Sequence, residues 1–491
     1  MSATAPDDTE FVSVLLYSFM GSVGEFDFDD VTVTATDPPE GHRTHPIATV
    51  AEGQKKPAVD IADRLQLFFD DTLLDHMAGV DLKLHRPKPR EIAMAFDKPW
   101  EGPSCIYVTV FKDTDRFRMY YRASGNKHPE LTAYAESPDG IAWTRPNLGL
   151  IEFKGSKANN IIWMEKSLSH NFAAFRDTNP AAKPNERYKA LAGLPSRALA
   201  SPDGVRWHKM QEKPVLTQGA FDSQNLAFYD AARGRYAAYY RAGHKGVRAI
   251  RYATSQDFIH WDEHGFIDLG DTKPEHLYTN ATTPYFREPS ILLAFPNRFM
   301  PHRKANAKWP RSGVSGSVFM ASRDGVHFAR TFMEDFVRPG LDPANWTDRN
   351  MHVACGVVPT GKDELSVYWV EHYGHPTVRL RRGTLRLDGF ASVHADYARG
   401  EFLTRPLIFK GKELVVNYST SAAGSLRFEL QDPEGKPIDG FAFRQCRQIF
   451  GDHTARVVAW DDTTDLSPLA GKPVRIRVRM KDADVYSVKF R

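Results

Sequence analysis

Ser137-Pro-Asp-Gly-Ile-Ala-Trp143 returns as Ser201-Pro-Asp-Gly-Val-Arg-Trp207, Ser255-Gln-Asp-Phe-Ile-His-Trp261 and Ser322-Arg-Asp-Gly-Val-His-Phe328, at spacings of 64, 54 and 67 residues. A repeat of this kind decides architecture before any single motif does, because each copy marks one supersecondary unit. Asp-Gly is the chemistry of a tight hairpin turn, and an aromatic three residues further on can pack back onto the sheet. Each copy is therefore expected to be an outer hairpin.

Upstream of the first three copies lies a second repeat: Phe111-Lys-Asp113, Phe175-Arg-Asp177 and Phe228-Tyr-Asp230, each followed by a strand-like run beginning at Phe117, Arg187 or Arg235. These read as inner hairpins. An inner and an outer hairpin make four antiparallel strands, which is one propeller blade. Five units are expected, beginning near Pro103, His170, Ser223, Asn280 and Asn350; the fifth lacks the Ser-x-Asp signature. Ring closure is expected from Leu65-Gln-Leu-Phe-Phe69.

After residue 397 the pattern changes to short alternating strands such as Glu413–Tyr418, Leu426–Leu430 and Val474–Arg479, which fit a β-sandwich. The expected fold is all-β, a five-bladed β-propeller followed by a C-terminal β-sandwich. The expected organisation is 1–40 the end of a carbohydrate-binding-like module, 41–64 a linker, 65–397 the propeller and 398–491 the sandwich. Within the first part, Phe26-Asp-Phe-Asp-Asp-Val-Thr-Val resembles the closing strand of carbohydrate-binding jelly rolls; a simple extension pairing with the main domain is the alternative.

Composition narrows the function classes. The 34 Gly and 32 Pro beside 58 aromatic residues suit short strands and tight turns. No run approaches the roughly 20 apolar residues of a membrane-spanning helix. Cys105, Cys355 and Cys446 are far apart, which indicates neither a disulfide framework nor a zinc cluster. Residues 1–42 hold nine Asp or Glu and no Lys or Arg, so the rest of the chain is basic. Its Lys and Arg are scattered, which argues against nucleic acid and leaves room for an acidic polysaccharide. No basic segment precedes Arg43, so no signal peptide is written; an extracytoplasmic site is expected if the N-terminus is truncated.

A five-bladed propeller followed by a sandwich resembles the fructan-acting glycoside hydrolases of family 32, and the propeller looks like that of families 43, 68, 117 and 130. Trp100-Glu-Gly, Asp139-Gly-Ile-Ala-Trp-Thr-Arg-Pro-Asn-Leu-Gly149 and Tyr418-Ser-Thr-Ser-Ala-Ala-Gly424 are similar to bacterial, often planctomycete, family-32-like proteins without a defined substrate. The resemblance covers roughly residues 65–491. It implies a glycosidase acting on an oligo- or polysaccharide, with no cofactor and no metal.

It also implies carboxylates where innermost strands begin, at the mouth of the central channel. That rule nominates Glu101 in Trp100-Glu-Gly-Pro103, similar to the Glu-Gly-Pro around the general acid of family 43, with Asp222 as nucleophile or base and Asp348 and Glu275 as substitutes. Two acids facing one cavity are what glycoside hydrolysis needs, about 5 to 5.5 Å apart for retention and about 6.5 to 9.5 Å for inversion. Sugar hydroxyls would be oriented by His170, Asn171, Asn225, Asn280, Arg287, Arg349, Glu371 and His372, unless these satisfy sheet edges instead. Trp100 and Tyr278 could stack on a sugar face or fill a core. Asp177 looks like the family-32 Arg-Asp-Pro aspartate, but internal alignment puts it at a hairpin turn with Asp113 and Asp230. Asp70 is either a nucleophile or a solvated strand end. Glu371, His372 and His375 lack the further ligands that would complete a metal site.

Two alternatives stay open. A non-catalytic carbohydrate-binding propeller would lack paired carboxylates at its mouth. A lyase or phosphorylase would put basic residues in place of one acid, and Arg287, Arg298, Arg303 and Lys304 keep that reading alive.

Overall fold

The computed structural model describes residues 56–125 and 128–491. The strands read in the first 40 residues lie outside them.

Six antiparallel sheets follow one another along the chain, and they form the five blades of a propeller. Blade one is Ile106–Lys112, Phe117–Ala123, Leu131–Ser137 and Ile161–Trp163, paired in that order. Blade two is Ala173–Arg176, Tyr188–Ala192, Arg197–Ser201 and His208–Lys209, and blade three is Leu226–Asp230, Arg235–His244, Val247–Ser255 and Trp261–Phe266. Blade four is split in two: Thr283–Tyr285, Glu288–Ala294 and Met320–Ser322 form one half, His276–Leu277, Asn297–Met300 and Val314–Ser317 the other. Pro296, which has no N–H to give a ladder, sits at the break. Blade five is His352–Val353, Glu364–Glu371, Arg379–Arg386 and, as its outer strand, Lys88–Ala95.

Ring closure therefore differs from the expectation. Lys88–Ala95 supplies the closing strand, while Gln66–Leu67 pairs with Val488 and Ser487 of the last strand. The physical reason is adjacency: residues 88–95 lead directly into blade one, and the earlier segment is drawn into the C-terminal sheet. Val59–Ala62, Leu74–Ala78 and Val80–Leu84 join that sheet too, pairing with Leu407–Phe409, Gly400–Thr404 and Ala391–Ala395. Residues 59–84, which the sequence divides between a linker and the propeller, are thus strands of the sandwich. Its frame is two 18-residue strands, Leu414–Gln431 and Pro473–Phe490, paired along most of their length around a core that includes Phe402, Trp460 and stacked Phe409 and Phe490.

The Ser-x-Asp repeat explains itself in the hydrogen bonds. Each Ser ends a third strand and each Asp caps the turn: Asp139 Oδ1 accepts from the N–H groups of Ile141 and Ala142 at 2.8 and 2.9 Å, and Asp203, Asp257 and Asp324 do the same. The fourth residue needs positive φ, which Gly140, Gly204 and Gly325 adopt at 74°, 78° and 83°. The turn then latches the neighbouring blade. Tyr120 of blade one donates to Gly204 O at 2.9 Å, Tyr239 of blade three to Gly325 O at 2.6 Å, and Tyr368 of blade five to Gly140 O. Blade two has Leu191 where blades one, three and five have this tyrosine, and the turn it faces carries Phe258, at φ 70°, instead of glycine. Leu191 and Phe258 share one apolar cluster, so the polar latch is replaced there by packing.

The sandwich is fastened to blades four and five through Asp388, whose side chain is fully buried. It accepts from Tyr285 Oη at 2.5 Å, Ser487 Oγ at 2.8 Å and Asn417 Nδ2 at 3.2 Å, and pairs with Arg287.

Candidate active site

Tyr107, at the start of the first strand of blade one, touches three other blades. Its hydroxyl meets that of Tyr278, on blade four, at 2.6 Å, and its ring packs against His170 of blade two and His352 of blade five at 5.8 and 5.7 Å. This is where the five inner strands begin and converge. Tyr107 and Arg349 hold positive φ of 57° and 62°, uncommon for residues with side chains and a strain that packing around the axis must offset.

His170 precedes the first strand of blade two and bridges two carboxylates. Nδ1 lies 2.7 Å from Glu130 Oε2 and Nε2 lies 2.8 Å from Asp222 Oδ1. A carboxylate can only accept, so both ring nitrogens must donate, and the arrangement is fully satisfied only by an imidazolium. Burial pushes the His170 pKa down, but the hydrogen bonds to Asp222 and Glu130 outweigh it and hold it above 6.5. Glu130 is lowered below 4.5: burial opposes this, and the His170 hydrogen bond and the Arg122 charge 3.2 Å away overcome it. Asp222 is lowered below 3.8, first by His170 against burial, then by Arg241 at 3.6 Å. Its side chain is 62% exposed, against 28% for Glu130 and 7% for Asp348.

Two arginines occupy matching places. Tyr120-Tyr-Arg-Ala123 and Tyr239-Tyr-Arg-Ala242 sit near the ends of the second strands of blades one and three. Arg122 lies 4.8 Å over Tyr107 and Arg241 lies 5.4 Å over Tyr278, so each guanidinium stacks on one member of the hydrogen-bonded tyrosine pair. On blade five, Arg349 holds Asp348 at 2.7 Å and accepts support from Tyr373, whose ring lies 4.7 Å beneath it and whose hydroxyl is 3.1 Å away. Arg311 and Trp309 Nε1 also bind Asp348, at 3.2 and 3.0 Å. Below Tyr107, burial takes His352 down to about 3, so its ring stays neutral on the axis.

Of the residues the strand-start rule nominated, His170, Asp222, Asp348 and Arg349 lie at one mouth, and Tyr278, offered as a stacking aromatic, lies with them. The rule did not nominate Tyr107, Arg122, Glu130, Arg241 or Tyr373, although the duplicated Tyr-Tyr-Arg-Ala was a readable signal for the two arginines.

Other candidates are placed elsewhere. Glu101 is fully enclosed: Arg145 binds it through Nε and Nη2 at 2.8 and 3.0 Å, Tyr121 donates at 2.6 Å and the Lys98 N–H at 3.0 Å. Trp100 packs edge-on to Phe153 beside it. Glu275 is paired with Arg330 and Arg298 inside blade four, and Arg287 belongs to the Asp388 fastening. Asn171, Asn225 and Asn280 are buried clasps between strands: Asn171 Nδ2 reaches Phe221 O at 2.7 Å, Asn225 Nδ2 reaches the same carbonyl at 2.9 Å, and Asn280 Nδ2 reaches Tyr239 O at 3.1 Å. Glu371 is held by Arg379 and Arg381, and His372 by Asp342 and Thr377 at 2.7 and 2.8 Å, while His375 stacks on Trp309 at 4.4 Å. Asp177 ends the inner hairpin of blade two, bound by Lys189 and Tyr236, and Asp70 pairs with Arg323 at 3.2 Å.

No family profile and no curated protein matches the chain. Among solved structures, it is similar to a glycoside hydrolase at 12% identity, TM-score 0.43, covering 62% of this chain and 92% of the other. It is also similar to a glycosyl hydrolase from Bacteroides ovatus at 13% identity, TM-score 0.38, with 61% and 93% covered. A third is the family 32 β-fructofuranosidase of Bombyx mori, at 8% identity, TM-score 0.40, with 83% and 94% covered.

Proposed function

We propose that this chain is a glycan-active enzyme, a glycoside hydrolase that cleaves a glycosidic bond at the channel mouth. Asp222 is its ionised carboxylate, acting as nucleophile or as base on water, and His170, whose Nε2–H Asp222 accepts in the free protein, is the proton-bearing partner that protonates the leaving oxygen once the sugar parts the two. The carrying observation is the exposed Asp222 carboxylate set 2.8 Å from an imidazole whose other nitrogen is fixed by Glu130. Glycoside hydrolysis needs a proton donor and an anionic oxygen beside one bond. Burial and partners divide those two roles between His170 and Asp222 here. Glu130 and Arg122 act behind them as positioning residues. Tyr107, Tyr278, Arg349 and Asp348 form the wall against which a sugar ring would sit, offering hydroxyl, guanidinium and carboxylate partners. Glu101, walled in by Arg145, serves the fold in this reading.

The test is reducing-sugar release from fructans, arabinans, galactans and sulfated or uronate-rich algal polysaccharides, using wild type, Asp222→Asn and Glu101→Gln. Loss of about a hundredfold or more in Asp222→Asn, on the order of a lost acid-base group, with folded Glu101→Gln close to wild type, supports the proposal. Unsaturated products would instead mean a lyase, phosphate-dependent cleavage a phosphorylase, and binding without turnover a lectin-like propeller.

A further inference from the structure

We propose that the long hairpin of blade three, with His276 and Tyr278 of blade four, is a subsite for an anionic group, carboxylate or sulfate ester, on the sugar held at the mouth. The inference rests on the glycan-cleaving reading above.

Arg235–His244 and Val247–Ser255, at 10 and 9 residues, are the longest second and third strands of the ring. They run on past the mouth and turn at Lys245-Gly246, where φ is 48° and 78°. Positive φ at both central residues makes a two-residue turn of the tight, strand-matched kind, so the hairpin is rigid rather than a loose loop. Between it and blade four lies a shallow pocket of about 550 Å³ lined by Arg241, Lys245, Arg248, His276 and Ala220 among others.

The charges in this pocket are poorly balanced. Arg241 and Arg248 both lie over the ring of Tyr278, at 5.4 and 5.6 Å, so two guanidiniums share one aromatic ring. The carboxylate beside Arg241 is Asp222, at 3.6 Å, and His170 already holds that group at 2.8 Å. Arg248 has no ion pair among the described residues. His276 Nδ1 accepts the Arg248 backbone N–H at 3.2 Å, which leaves its Nε2–H as a donor. Burial and Arg248 hold its pKa below 6.5, so it donates as a neutral ring. Two guanidiniums, an exposed ammonium and an imidazole N–H outnumber the acceptors that face them, which are Asp222 and the Ala220 carbonyl at Arg241 and His276 Nδ1 at Arg248, and such a surplus of donors suits a planar carboxylate or a sulfate.

The test is calorimetric binding to the full chain of a galacturonic acid trisaccharide, its fully methyl-esterified form and a sulfated galactan trisaccharide, with Arg248→Gln, Arg248→Lys and, as a distant control, Lys183→Gln. The expected result is that a charged probe binds at least about tenfold tighter than the ester, as charge-assisted recognition requires. That preference should weaken with added salt, vanish in Arg248→Gln, partly return in Arg248→Lys and persist in Lys183→Gln. Which charged probe wins tells carboxylate from sulfate. Equal binding of ester and acid, no binding of either charged probe, or an unchanged preference in folded Arg248→Gln overturns the inference. Cleavage by Asp222→Asn at the wild-type rate, with the Arg248-dependent preference intact, would instead sink the catalytic reading and leave the subsite standing.

Discussion

The hydroxyls of Tyr107 and Tyr278 meet at 2.6 Å across the propeller axis, and each ring carries its own arginine, Arg122 at 4.8 Å and Arg241 at 5.4 Å. Burial lifts both phenols above 10, so the pair is neutral and shares one proton-ordered contact between two cations. Removing one hydroxyl strands the other. Tyr278→Phe should lower kcat/KM about tenfold, the worth of one hydrogen bond at a buried site, and should cost about 1–3 kcal/mol of stability for the Tyr107 hydroxyl left unpaired; steady-state assays beside calorimetry check both.

His170 gives the cluster a defined pH window. Its folded pKa is raised above 6.5, so the stability it contributes is present below that value and is lost as pH rises through the folded pKa. Glu130 and Asp222 are lowered below 4.5 and 3.8, so theirs is present above those values and lost as pH falls through the folded ones. The cluster therefore stabilises most between the carboxylate and histidine ranges. Glu130→Gln should move the His170 titration toward lower pH, visible by NMR, and carry the alkaline limb of activity with it.

Glu101 is expected to behave as a structural residue. Its carboxylate is buried against Arg145, and breaking a buried pair by neutralising one side costs about 3–5 kcal/mol. Denaturant unfolding of Glu101→Gln should show that loss, while kcat of the folded fraction stays near wild type.

Asp388→Ala should destabilise by a similar amount, about 3–5 kcal/mol, because Arg287 and the hydroxyls of Tyr285 and Ser487 all lose their acceptor. Unfolding followed by tryptophan fluorescence would report it.

Gly204→Ala tests the blade latch. The residue sits at φ 78°, and a Cβ there would fall 2.7 Å from Tyr120 Oη and from Arg118 Nη1. A loss of about 1–3 kcal/mol is expected from the strained backbone, plus weakening of the Tyr120 contact, read from the denaturation midpoint.

The repeat made the propeller legible because turn chemistry is local: a serine, an aspartate and a positive φ lie within four residues. The same locality placed Asp222, His170, Asp348 and Arg349, which all precede first strands. It did not foresee the enclosure of Glu101, whose Glu-Gly-Pro setting is local but whose partner Arg145 lies 44 residues away across a loop. It also missed Arg122 and Arg241, which come from second strands and reach the axis only through their length. Ring closure was unreadable for a related reason. Leu65–Phe69 and Lys88–Ala95 are both strand-like, and only the long-range competition of the final strand for Gln66 decides between them.

That competition has a further consequence. The strand closing the propeller, Lys88–Ala95, is flanked on its N-terminal side by strands woven into the sandwich and on its C-terminal side by blade one. Propeller and sandwich are thus two knots in one cord rather than beads on a string. A chain cut at residue 397 would keep every blade yet strip Val59–Ala62, Gln66–Leu67 and Leu74–Ala78 of their partners and leave Val80–Leu84 paired with Ala391–Ala395 alone, so the two units should be expressed, engineered and inherited as one piece.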